Sequence, residues 1–121
     1  MHLLCVFGTR PEAVKLAPVL LALRREESVA TRICVTGQHR ALLDGVLDFF
    51  AIATDRDLDL MRPGQAPSEL LARAIAALDS VLVQERPDRV IVQGDTTTAL
   101  AAALAAFHRR IPVAHVEAGL R

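Results

Sequence analysis

Apolar positions along the chain fall into short unbroken runs separated by longer stretches of helical period. Residues 3–7, 32–36, 89–92 and 113–116 are apolar and rich in β-branched side chains, and they lack the in/out alternation of a half-solvated strand. That pattern predicts strands buried on both faces. Between them, residues 11–26, 39–50, 68–85 and 97–109 read as helices, with Pro11 early in the first and Ser68 as the cap of the third. Strand and helix alternate throughout, so the fold class is α/β: a Rossmann-like parallel sheet with helices on both faces and right-handed crossovers. Residues 55–60 are short and charged and fit an edge strand, while 99–106, entirely Ala and Leu, fit a helix lying close to the sheet. The last run is not followed by the helix that the alternation calls for, which leads to the expectation of a truncated chain.

Composition narrows this picture. Residues 1–121 are enough for a single domain that buries ~60–70% of its unfolded surface. Fourteen basic and fourteen acidic residues cancel, so no overall field draws the chain to nucleic acid or to an anionic membrane, and any anion must be caught locally. Cys5 and Cys34 lie inside apolar strands without CxxC spacing, which suits free thiols in a reducing compartment. The N-terminus has no basic flank or long apolar stretch, and no run approaches the ~18 apolar residues of a membrane span. A cytoplasmic protein is expected.

Three polar clusters fall at predicted strand ends: residues 8–15, 93–98 and 115–121. In an open parallel sheet they share the carboxyl edge, where ligands bind. Strand alternation sets His115 and Glu117 on one side, facing the same cavity. Each cluster also has a purely structural reading. Thr9 and Glu12 fit a capping box around Pro11, and for Glu12 that role is preferred. Arg10 precedes proline and is expected to be extended and to point away from its helix, where anion contact and simple solvation fit equally. Lys15, the one lysine among fourteen cations, also suits an exposed pair with Glu12. Asp95, Thr96 and Thr97 suit helix capping. Glu117, between Val116 and Ala118, is costly to bury unpaired. Gln38 and His39 follow Gly37 at a turn where a cap and a ligand contact look alike. There is no HExxH, no GxGxxG and no GxxxxGK[ST], so metal, NAD and ATP are not expected. Physical reasoning alone reaches an anion corner at Arg10 and Lys15 beside facing carboxylates, Asp95 and Glu117.

The segments FGTRPEAVKLAP, VTGQHRALLD, PDRVIVQGDTTTALAAALAAF and IPVAHVEAGLR, in that order, resemble the opening part of the bacterial non-hydrolysing UDP-N-acetylglucosamine 2-epimerases. The resemblance implies the first lobe of a GT-B-like two-lobed fold, with the cleft between lobes as the active site and the UDP-binding C-terminal lobe absent from this chain. It implies interconversion of UDP-N-acetylglucosamine and UDP-N-acetylmannosamine by elimination of UDP to 2-acetamidoglucal and re-addition, with no cofactor and no metal. By the same resemblance Asp95, Glu117 and Lys15 are the catalytic candidates. Arg10, Gln38, His39 and His115 are the substrate-binding ones, with Gln38 and His39 similar to part of a second, activating substrate site. The partner is a UDP-sugar, a homodimer of the full-length protein is expected, and this chain alone is expected to be inactive. A glycosyltransferase-like nucleotide-sugar binding module is the alternative.

Overall fold

The computed structural model of the protein describes residues 1–37 and 40–117. Nine elements alternate along it: β1 (His2–Phe7), α1 (Arg10–Arg24), β2 (Ala30–Val35), α2 (Arg40–Phe49), β3 (Arg56–Asp57), α3 (Pro67–Glu85), β4 (Arg89–Gln93), α4 (Thr97–His108) and β5 (Val113–Val116). Their strands form one parallel sheet in the order β3-β2-β1-β4-β5. The α/β, Rossmann-like expectation holds, and of residues 55–60 only Arg56–Asp57 form the edge strand. The chain winds outward from β1 to β3, then crosses back through α3 to β4. The winding therefore reverses between β1 and β4, where such sheets open a crevice beyond their carboxyl ends.

Within β1, Leu3, Cys5 and Phe7 join Leu16, Leu20, Leu43 and Leu47 of α1 and α2 in one core. Leu4 and Val6 join Leu78, Val81, Ala101 and Ala105 of α3 and α4 in the other. Burial on both faces is why the run is apolar without interruption. The alanines of α4 keep that helix close to α3 and the sheet, with Ala101 and Ala106 fully buried. β5 departs from expectation. Val113, Ala114 and Val116 are only half-buried and His115 is exposed, because β5 is the edge of the described sheet.

Two helix starts also differ from expectation. Arg10 is the first residue of α1, after an extended Thr9 (φ −122°, ψ 160°), and not an extended residue pointing away from the helix. The first turn tolerates a proline at its second position, since that N–H has no intrahelical partner, and so the helix begins one residue earlier. Ser68 does not cap α3. The helix starts at Pro67, whose fixed φ suits the first turn, and Ala66 takes the cap position without a side-chain bond.

Cys5 and Cys34 are buried free thiols on opposite faces of the sheet. Burial pushes each up to about 12, with the Arg56 charge acting against it at Cys34. No described helix is long and apolar enough to cross a membrane.

Candidate active site

β1 and β4 are adjacent, so the turns that follow them lie side by side. Between them is a hollow of about 340 Å³ lined by Thr9, Pro11, Glu12 and Lys15 from the start of α1, by Gln93, Gly94, Asp95 and Thr96 after β4, and by Glu117 after β5. The first turns of both α1 and α4 border this hollow, so the positive ends of two helix dipoles add to the ammonium of Lys15. Lys15, Asp95 and Glu117 are all exposed.

The walls of the hollow are fixed by buried polar bonds. Thr96, and not Asp95, caps α4, its hydroxyl accepting from the Ala99 N–H at 3.1 Å. Asp95 is thereby left out of the capping role. Glu12 forms the expected capping box with Thr9, and its Oε1 accepts from the Gly8 N–H (3.1 Å), the Thr9 N–H (2.9 Å) and the Thr9 hydroxyl (2.8 Å). An exposed Glu12–Lys15 pair does not form, since Glu12 is 1% exposed with its oxygens already engaged. A second buried bond joins Thr36 Oγ1 at the end of β2 to Thr98 Oγ1 in the first turn of α4, at 2.8 Å.

Gly94 holds the centre. Its φ of +72° turns the chain after β4, its N–H donates to the Val116 carbonyl at 3.1 Å, and its Cα comes close to the Glu117 carboxylate, 3.6 Å from where a Cβ would stand. The positive φ, and not a lack of space, is what favours glycine here.

The structure thus brings Lys15, Asp95 and Glu117 to one hollow, but not every candidate. Arg10 lines a separate groove of about 460 Å³ with Val14, Leu42, Phe49 and Phe50, between α1 and α2. An anion corner shared by Arg10 and Lys15 is therefore not formed among the described residues, because successive helical positions radiate apart and these two are five residues distant. His115 and Glu117 do not face one cavity either. His115 lies against α4 beside Val113, Leu100 and Ala103, its Nε2 2.7 Å from the Gly94 carbonyl. The strand ends at Val116, so its alternation does not extend to Glu117. Gln38 and His39 lie outside the described residues. Thr36, Thr98 and Gly94 carry structural duties at this edge that the sequence reading did not single out. For Thr98, the apolar residues that follow it were the available signal of burial. Among the described residues no three His, Cys, Asp or Glu side chains gather to hold a metal ion.

A sequence profile described as UDP-N-acetylglucosamine 2-epimerase matches residues 21–121. The chain belongs to this family. It is 54% identical over all 121 residues to the UDP-N-acetylglucosamine 2-epimerase of Yersinia pestis and 53% identical to that of Escherichia coli K12, covering 32% of each. The chain therefore spans about a third of the length of the curated epimerases it matches. Among solved structures it superposes on a Neisseria meningitidis UDP-GlcNAc 2-epimerase bound to UDP-GlcNAc with a TM-score of 0.95 and 51% identity, over 100% of this chain and 33% of that one. Acinetobacter baumannii MurG shares the fold at a TM-score of 0.74 and 18% identity, over 96% of this chain and 35% of MurG. These structural neighbours are of the GT-B type, and the part of them that this chain matches is a Rossmann-like α/β sheet.

Proposed function

We propose that residues 1–121 are the N-terminal lobe of a UDP-N-acetylglucosamine 2-epimerase, forming one wall of a cleft that a UDP-binding lobe completes. What supports this reading is the convergence of Lys15, Asp95 and Glu117 on a single hollow where the sheet winding reverses. C2 of the sugar is not adjacent to a carbonyl, so its proton is not removed by simple enolisation. Elimination solves the problem: a base takes the C2 proton, the C1–O bond breaks, UDP departs, and 2-acetamidoglucal remains. Re-addition of UDP with proton delivery to the opposite face gives UDP-N-acetylmannosamine.

That sequence needs stabilisation of the departing diphosphate and an acid and a base near the ring. Lys15 and the first turn of α4 supply positive potential, and Asp95 and Glu117 supply the two carboxyl groups. The substrate is a UDP-sugar, no cofactor takes part, and the uridine is held by the other lobe. The lobe alone is inactive for that reason, and the full-length protein works as a cytoplasmic homodimer.

The test is solvent exchange. Full-length protein given UDP-N-acetylglucosamine in heavy water incorporates deuterium at C2, and Asp95→Asn or Glu117→Gln abolishes this with circular dichroism unchanged. Sugar transfer to an acceptor without C2 exchange replaces the epimerase reading with that of a glycosyltransferase-like module, and near-native turnover in either variant removes that carboxylate from the mechanism.

A further inference from the structure

The capping box explains one oxygen of Glu12 and not the other. Oε1 satisfies the turn after β1, which is all that a helix start requires. Oε2 accepts from the Thr96 hydroxyl at 3.0 Å, across 84 residues of sequence. The hydroxyl has one proton, and it goes to Glu12, while its oxygen accepts the Ala99 N–H. Donor and acceptor roles are therefore forced at both ends of this link.

The link joins the two halves of the proposed catalytic hollow. Glu12 lies one helical turn before Lys15 on α1, and Thr96 follows Asp95 directly. A buried carboxylate, 1% exposed, that receives four donors has little freedom to shift. We propose that Glu12 is a positioning residue, whose bond to Thr96 sets the separation between the Lys15 ammonium and the Asp95 carboxyl. This inference rests on the epimerase reading above, and it adds to it a residue that does not touch substrate.

Glu12→Gln separates this role from simple capping. The amide oxygen can receive the donors of the β1 turn, which preserves the helix start, but the amide nitrogen then presents N–H groups to Thr96 where an acceptor stood. Thr96→Val removes the donor altogether and Thr96→Ser returns it. In full-length protein followed by C2 deuterium exchange, Glu12→Gln and Thr96→Val lower kcat by ~10–100-fold, the scale of a misplacement approaching 1 Å, while KM changes little. Thr96→Ser recovers most of that loss, and the Glu12→Gln/Thr96→Val double variant loses no more than the worse single one, as two ends of one bond should. A role confined to stability lowers the unfolding midpoint and leaves kcat of the folded fraction alone, so midpoints are measured alongside. If one single variant does not fold, the other carries the comparison with Thr96→Ser. Wild-type exchange with unchanged kcat in the folded variants overturns the positioning role and leaves the epimerase reading standing. No exchange in the wild type overturns both.

Discussion

At Gly37 the backbone adopts φ +87°, and a Cβ there would stand 2.9 Å from the Cα of Asp59 and 3.3 Å from its N. Gly94 also has positive φ, but the nearest atom to its hypothetical Cβ is the flexible end of Glu117 at 3.6 Å. The two glycines therefore differ in kind. Gly94→Ala meets only the left-handed backbone penalty, ~1–2 kcal/mol, whereas Gly37→Ala adds a clash with main chain and is expected to cost ~2–4 kcal/mol. Urea midpoints of the two variants check this, and equal losses would show that residues 57–60 yield easily. Legibility at this scale was uneven. The cap role of Glu12 could be read from Thr9-Arg10-Pro11-Glu12 because it is local. The choice of Thr96 over Asp95 as the α4 cap could not, since both residue types cap helices and Asp is the more favoured of the two.

Between elements, Glu85 at the end of α3 gathers basic residues from neighbouring strands. Its side chain is 6% exposed and lies 2.9 Å from Arg32 Nε of β2, 2.7 Å from Arg56 Nε of β3 and 3.6 Å from His2 Nε2 of β1. Burial alone would raise this carboxyl, but hydrogen bonds from Arg56 and Arg32 outweigh it and hold the group below its ordinary 4.5. A carboxyl lowered on folding contributes stability that is present above its unfolded value and lost as pH falls through the lower folded one. The unfolding midpoint should thus decline on acidification below about pH 4.5. In a His2→Gln background, which removes the neighbouring imidazole, Glu85→Gln should flatten that decline and lower the midpoint at neutral pH. An unaltered acid slope would assign the effect to other carboxylates. This network was invisible beforehand, because Arg32, Arg56 and Glu85 are 24 and 29 residues apart and each looks like an ordinary surface charge.

For the whole molecule, the question is whether the two helical layers open together. Cys5 reports on the α1/α2 side of the sheet and Cys34 on the α3/α4 side, each buried and each pushed up to about 12. Neither should react with a disulfide reagent under native conditions at pH 8, because burial limits both the thiolate and access to it. Both layers lean on the same parallel strands, so labelling of the two thiols should begin at one urea concentration, coincident with loss of ellipticity. Earlier labelling of Cys34 would mean that the α3/α4 layer detaches by itself.

The sequence by itself determined the kind and succession of elements, the parallel sheet buried on both faces and the membership of Cys5 and Cys34 in its core. Unbroken apolar runs and helical periods are properties of neighbouring residues, and they survive without knowledge of the rest. Only the tertiary structure decided the order β3-β2-β1-β4-β5, and with it which polar turns meet. The crossover that returns the chain through α3 sets β4 beside β1. That one choice draws Lys15, Asp95 and Glu117 to one hollow, leaves Arg10 and His115 in others, and lets Glu12 bond to Thr96. Contacts of this kind depend on how remote segments cross, and no local pattern encodes that.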